Sequence, residues 1–297
     1  MHSIDAARER LSHLDRLAGR TVRDLTVGDD VIRFEGLTDA SAAVLATRWG
    51  GFFGQPGAAV PRLVVRMVRG GSEGWLPRWQ PGEGYRLEAD AVGGPLVVRS
   101  YHFALGPELS GAWRLAVSDQ DDEPVGRVID NAARYLVARI ATEVGGLALH
   151  GAGVKRDGRA TIFAGASGSG KSTALRFSAP AESLGDDFAV VLPAGDGWAV
   201  PALPFDNAET APADPVRGLT ELAGVWRLFK ADRHRVERPS GVRAQASLLA
   251  CAAFSWALPD LADRAGEAVA KFSASGRFAH LHFALDSGFW PLLESPA

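Results

Sequence analysis

Hydrophobic and polar positions follow three regimes along the chain. From Ile4 to Leu17 the residues Ile4, Leu11, Leu14 and Leu17 recur at helical spacing among arginines and acids, and Gly19 follows as a stop. A short amphipathic helix is expected there, packed by its apolar stripe onto the body of the protein. From Val31 to about Asp119 the period falls to two. The runs Val31–Phe34, Leu63–Val68, Tyr85–Ala91 and Leu96–Phe103 are rich in β-formers and separated by glycine, proline and acids, which predicts antiparallel strands. Gly93-Gly94 predicts a hairpin turn and Ala40–Arg48 one helix, so residues 1–120 are expected to form a small α+β domain. Trp49, Trp75, Trp79 and Trp113 fit either a binding groove or core packing, and core packing is the default.

Helical spacing returns over Val125–Val144, where Val128, Ala132, Leu136 and Ile140 form a stripe that ends at Gly145-Gly146. A strand Leu147–His150, a hairpin through Lys155-Arg156-Asp157-Gly158 and a strand Ala160–Ala164 lead into a glycine-rich loop. Beyond it are expected a helix Lys171–Phe177, a strand Phe188–Leu192, and a turn at Gly195-Asp196-Gly197 into a strand Trp198–Val200. Pro201, Pro204, Pro212 and Pro215 predict a stretch with little regular structure. Helices over Ser247–Ala257 and Asp260–Val269 and a strand His280–Leu285 follow. Residues 121–297 are therefore expected to be an α/β domain.

Composition narrows the function classes. A 297-residue chain that is 46% hydrophobic has material for a real core, and 32 basic against 35 acidic side chains give a net charge of −3. That balance points away from nucleic acid and from a polybasic membrane surface. Cys251 is the single cysteine, which excludes an internal disulfide and a cysteine-built zinc cage; it is read as a buried packing thiol in a helix. The first residues lack the apolar stretch of a signal peptide, and no window reaches ~18 apolar residues, so a cytoplasmic protein without a membrane partner is expected.

The chemistry concentrates at Gly165-Ala166-Ser167-Gly168-Ser169-Gly170-Lys171-Ser172, which fits G-x-x-x-x-G-K-[ST] between a predicted strand and a predicted helix. Glycines let successive N–H groups turn inward at phosphate oxygens, and a following helix adds its positive end. Lys171 is expected on the β- and γ-phosphates of ATP, Ser172 on Mg²⁺ and Thr173 beside the α-phosphate. Asp186-Asp187, at the head of an apolar strand, fit two jobs between them, one ligating the metal and one accepting the proton from an attacking hydroxyl. On position alone, His150 at a strand end is equally a structural group or a ligand-facing one. His280 and His282 are read as packing groups, and the basic stretch Arg227, Lys230, Arg233 and Arg235 as a solvated helix end.

Leu149-His150-Gly151, Gly165–Thr173 and Leu184-Gly185-Asp186-Asp187, in that order, resemble HPr kinase/phosphorylase and more distantly the ATP-dependent phosphoenolpyruvate carboxykinases. The resemblance covers about residues 131–205. It implies an HPr kinase-like P-loop domain behind a smaller N-terminal α+β domain, with His150 at the transferred phosphate and the acidic pair as metal ligand and catalytic carboxylate; the expected division puts Asp187 with Ser172 on the metal and Asp186 on the attacking hydroxyl. Ala166 stands where those kinases usually carry an acid, and Val216-Arg217-Gly218-Leu219 is only an echo of their later glycine-rich signature. The chain looks like the divergent, shorter members, which act on a hydroxyl of a peptide, a protein or a small compound. The expected activity is thus ATP- and Mg²⁺-dependent phosphoryl transfer to a hydroxyl-bearing acceptor. The alternative is a nucleotide-responsive regulatory module without kinase activity, and a homo-oligomer is compatible with either.

Overall fold

A computed structural model of the chain describes residues 3–78, 80, 85–119, 123–206 and 211–294. It is a mixed α/β protein with two sheets, divided into two compact units. The first comprises Met1–Leu136, Thr210–Asp214 and Trp256–Asp260; the second comprises Val137–Glu209, Pro215–Ser255 and Leu261–Ala297.

The first unit opens with helix α1 (Ile4–Ser12), capped by Ser3, whose hydroxyl accepts from the N–H of Ala6 at 3.1 Å. Helix α2 (Asp39–Trp49) lies within the run of strands, and helix α3 (Val125–Glu143) begins in this unit and ends in the second. The strands are β1 (Thr21–Val27), β2 (Asp30–Leu37), β3 (Phe53–Gly54), β4 (Leu63–Arg69), β5 (Glu88–Asp90), β6 (Val97–Arg99), β7 (Phe103–Pro107) and β8 (Trp113–Val117). They form an eight-stranded sheet in the order β3-β1-β2-β4-β8-β7-β6-β5. The predicted Gly93 hairpin joins β5 and β6, which are antiparallel. The sheet as a whole is mixed, however, because β4 runs parallel to both β2 and β8. Local alternation marks strands but not their direction; the chain between β2 and β4 passes through α2, a crossover that returns it parallel.

Helix α1 also stops five residues short of Leu17. Leu17 instead pairs its backbone with Val68, an extended contact that ends the helix. Ala7 and Leu11 of α1 pack with Val68, Trp75, Val97, Ala104 and Ala116. The tryptophans are core pieces: Trp49, Trp75 and Trp113 are all buried, and Trp49 Nε1 donates to the buried Asp130 at 2.8 Å. Trp79 lies outside the described residues.

The second unit holds β9 (Leu147–Leu149), β10 (Gly151–Arg156), β11 (Arg159–Ala164), α4 (Lys171–Arg176), β12 (Glu182–Gly185), β13 (Ala189–Ala194) and β14 (Gly197–Pro201). It continues with β15 (Leu219–Lys230), β16 (Arg235–Glu237), α5 (Gly241–Leu249), α6 (Ala262–Ala274), β17 (Phe278–Phe283) and α7 (Trp290–Glu294). The sheet has nine strands along the path β12-β10-β11-β15-β14-β13-β9, with β17 pairing β15 and β16. Strands β11, β15 and β17 are parallel. The hairpin between β10 and β11 turns on Asp157 and Gly158 at φ 51° and 76°, the double positive φ of a tight two-residue turn.

Strand β15 corrects the sequence reading. Arg227 and Lys230 lie on this twelve-residue strand and not at a helix end. Its burial alternates and partners occupy both edges, so the pairing sets its conformation despite the preceding prolines. Helix α5 ends earlier than expected and leaves Cys251 beyond it. The reason is a competing backbone pairing: the N–H of Ala253 donates to the Ala148 carbonyl at 2.9 Å, and Ala252 bridges to Leu149. No helix among the described residues is long and apolar enough to cross a membrane.

Candidate functional site

The site is built where β9, β11 and β12 end. Strand β11 delivers the chain to Gly165, whose N–H donates to the His150 carbonyl at 3.1 Å. Gly165, Gly168 and Gly170 adopt φ of 152°, 75° and 106°, conformations that side chains with a Cβ resist. The loop folds on itself through the N–H of Ser169, which donates to the Ala166 carbonyl at 3.1 Å. Ala166, Ser167 and Gly168 are exposed, whereas Lys171, the first residue of α4, is only 7% exposed. Gly170 is also sterically fixed, since a Cβ there would stand 2.6 Å from the Phe283 ring of β17.

Lys171 Nζ donates to the carbonyls of Gly165 and Ala166 at 3.1 and 3.2 Å, so the ammonium sits at the root of the exposed loop. Burial pushes its pKa below the ordinary lysine value, against the pull of Asp187 and then Asp186. Helix α4 has only six residues, so main-chain amides and this ammonium, more than a long helix dipole, make the place attractive to an anion. Ser172 is exposed in the first turn, and Thr173 follows it half-buried.

The carboxylates come from the turn after β12. Ser172 Oγ donates to Asp186 at 3.0 Å, and His150 Nε2 lies 2.8 Å from Asp187 Oδ1. Burial is the main cause that raises the Asp186 pKa above the usual carboxylate value; the Ser172 hydrogen bond opposes it and the charge on Asp187 adds to it. The structure therefore brings together every residue singled out in the sequence as site-forming: the loop 165–173, His150, Asp186 and Asp187. It groups them as Ser172 with Asp186 and His150 with Asp187. Among the described residues no group of three or more His, Cys, Asp or Glu side chains is placed to hold a metal. The available donors at the loop are hard oxygens, which suits a Mg²⁺ shared with phosphate oxygens better than a cage made by protein alone.

Of two neighbours of the site, Asp206 was not read as site-related from sequence, and Arg227 only as a lesser alternative to a solvated helix end. Asp206, in Pro204-Phe205-Asp206-Asn207, accepts from the N–H of Asp186 at 2.6 Å and fixes the acidic turn; the run of prolines around it carried no warning beyond irregularity. Arg227 pairs with Ala164 in register and donates to Ser247 Oγ at 2.8 Å, and that hydroxyl lies 2.6 Å from His280 Nε2. His280 is thus a satisfied buried group, as expected. Its partner His282 lies 3.1 Å from the Arg235 guanidinium and 3.5 Å from Glu237. Cys251 is buried beside this network, and burial pushes its thiol up to about 11, which leaves it unreactive as a nucleophile.

The chemistry such a site permits is anion capture on the exposed glycine-rich loop next to a buried ammonium, with two carboxylates and an imidazole within reach. No curated protein matches the chain. A family model described as "ScmC: SynChlorMet cassette protein ScmC" matches residues 116–211, a stretch that includes both the glycine-rich loop and the Asp186-Asp187 pair.

Proposed function

We propose that the chain is a kinase with an HPr kinase-like P-loop unit, which binds a nucleoside triphosphate with Mg²⁺ on residues 165–173 and transfers the γ-phosphate to a hydroxyl. The observation that carries this reading is the pairing of Ser172 with Asp186 at 3.0 Å beside the His150–Asp187 contact at 2.8 Å, both at the edge of the loop. A binding module needs the loop; it has no evident need for two carboxylates and a histidine gathered at its rim.

In this reading the loop amides and Lys171 grip the triphosphate tail and stabilise charge on the γ-phosphoryl group. Ser172 and Asp186 would hold Mg²⁺, which neutralises phosphate charge when bound. Asp187, oriented by His150, accepts the proton of the attacking hydroxyl as the new O–P bond forms and the bond to the diphosphate oxygen breaks. This assignment exchanges the roles expected of the two aspartates from the sequence, because Ser172 bonds to Asp186.

The experiment combines γ-labelled ATP, candidate peptide and small-molecule hydroxyl acceptors, and a Mg²⁺ titration. Lys171→Ala should lower turnover by a factor on the order of 10² or more with the fold intact. Asp186→Asn should raise the Mg²⁺ concentration needed, and Asp187→Asn should cut turnover without changing that requirement. Full activity in Lys171→Ala would overturn the mechanism. Function that needs bound nucleotide but survives Asp186→Asn and Asp187→Asn would identify a regulatory module instead.

A further inference from the structure

The second unit contains a cavity that the glycine-rich loop does not use. It encloses about 500 Å³ where β10 turns into β11 and where β15 and β17 begin. The loop leaves the opposite end of β11. Thr161 on the cavity wall is four residues from Gly165, roughly 13 Å of strand. A molecule seated in this cavity is therefore separate from the triphosphate and from the reacting hydroxyl.

Three observations describe what the cavity would accept. Its wall carries Arg156, Arg159, Arg238 and Arg277 against a single acid, Asp157. Arg277 is fixed by donating to the Leu222 carbonyl at 2.6 Å, whereas Arg238 makes no hydrogen bond or ion pair among the described residues. Second, Trp226 and Trp290 line the wall at 6% and 7% exposure, and the Nε1 of each is buried without a hydrogen-bond partner. Buried indole donors nearly always find an acceptor, and two orphans in one wall lack one that the protein does not supply. Third, β15 bulges here: its pairing with β11 steps from Leu222 to Gly224 while β11 advances one residue. A Cβ at Gly224 would stand 3.2 Å from Trp226 Nε1, so any side chain at the bulge would press on that indole edge.

We propose that this cavity is a second binding site, for a small organic anion that carries two or more carboxylate or phosphate groups on a carbon skeleton. Guanidinium groups match the oxygens of either group, and the indole N–H groups supply single donors to the same oxygens. Trp226, Ala279 and Leu293 add apolar wall that a bare inorganic anion would leave uncovered.

Calorimetric titration with citrate, 3-phosphoglycerate and inorganic phosphate at constant ionic strength tests the proposal. One or both organic probes should bind at a single saturable site, equally in the full chain and in its Lys171→Ala variant. Affinity should fall about tenfold or more in Arg238→Gln and in Trp226→Phe, which deletes the donor and keeps a ring in the core. Tighter binding of citrate would show that carboxylates suffice, and tighter binding of 3-phosphoglycerate, which carries one carboxylate beside its phosphate, would show that a phosphate is preferred. The proposal is overturned if neither organic probe saturates, if both cavity variants bind like the unmodified chain, or if Lys171→Ala abolishes binding. Inorganic phosphate that binds as tightly as the organic anions would remove the carbon skeleton from the assignment.

Discussion

Asp24 shows how a single carboxylate anchors the first sheet. It is 6% exposed, accepts from Arg33 Nε and NH2 at 2.8 and 2.9 Å across β1 and β2, and accepts from the N–H of Gly57 at 3.0 Å. The Arg33 hydrogen bond holds its pKa below the ordinary 3.8. A lowered folded-state pKa stabilises the fold above the unfolded-state value, and that contribution disappears as pH falls through the folded-state value. The stability gap between the native chain and Asp24→Asn, followed by urea unfolding from pH 6 downward, should therefore be constant to about pH 4 and then shrink; a gap that stays constant into stronger acid refutes this account. Legibility at this scale was uneven. The glycine loop could be read because its spacing is local and each glycine meets a backbone requirement. The partners of Asp186 and Asp187 could not, since they depend on where β9 and β12 end relative to α4, and sequence separation is silent on that. Trp49 was ambiguous for a similar reason: its acceptor, Asp130, is 81 residues away.

Among the elements, the join between the glycine loop and α4 is constrained in two ways at once. Gly170 combines φ 106° with a ring 2.6 Å from the site of an added Cβ. Gly170→Ala should cost on the order of 1–3 kcal/mol in unfolding free energy and abolish nucleotide binding, and trimming the ring with Phe283→Ala should restore space but not the backbone conformation. Because Phe283 is itself a buried core ring, the comparison is made on the Phe283→Ala background, where adding Gly170→Ala should cost less than it does in the native chain yet still abolish binding; no added cost and intact binding on that background would show that crowding alone sets the loop. Strands written as short β-rich or apolar runs, such as β4 and β13, were visible in the sequence. Strand β15 was not, because its prolines upstream and basic residues at its end mimic a loop and a helix terminus, while the neighbours that make it a strand, β11 and β17, lie far away in the chain.

At the scale of the molecule, the division into two compact units puts the whole candidate site in one of them. Ligand that binds only the folded state stabilises it by about 2.7 kcal/mol at a hundredfold excess over Kd. Amide hydrogen exchange with and without ATP·Mg²⁺ should therefore show increased protection in β11, β15 and β17, absent in Lys171→Ala. Protection gained only in β1 to β8 would place the nucleotide elsewhere. The mixed α/β character of the chain was legible from the change in period along it, whereas the mixed direction of the first sheet was not.

Strand β15 has a further consequence for how the chain can vary. Its twelve residues carry Gly224 and Trp226 on one face and Arg227 and Phe229 on the other, because alternate side chains point to opposite sides. A codon gained or lost between Trp226 and Arg227 would invert the facing of everything after it and strip Ser247 of its guanidinium donor. Length changes are thus confined to the turns that flank the strand, and its interior can drift only by replacement.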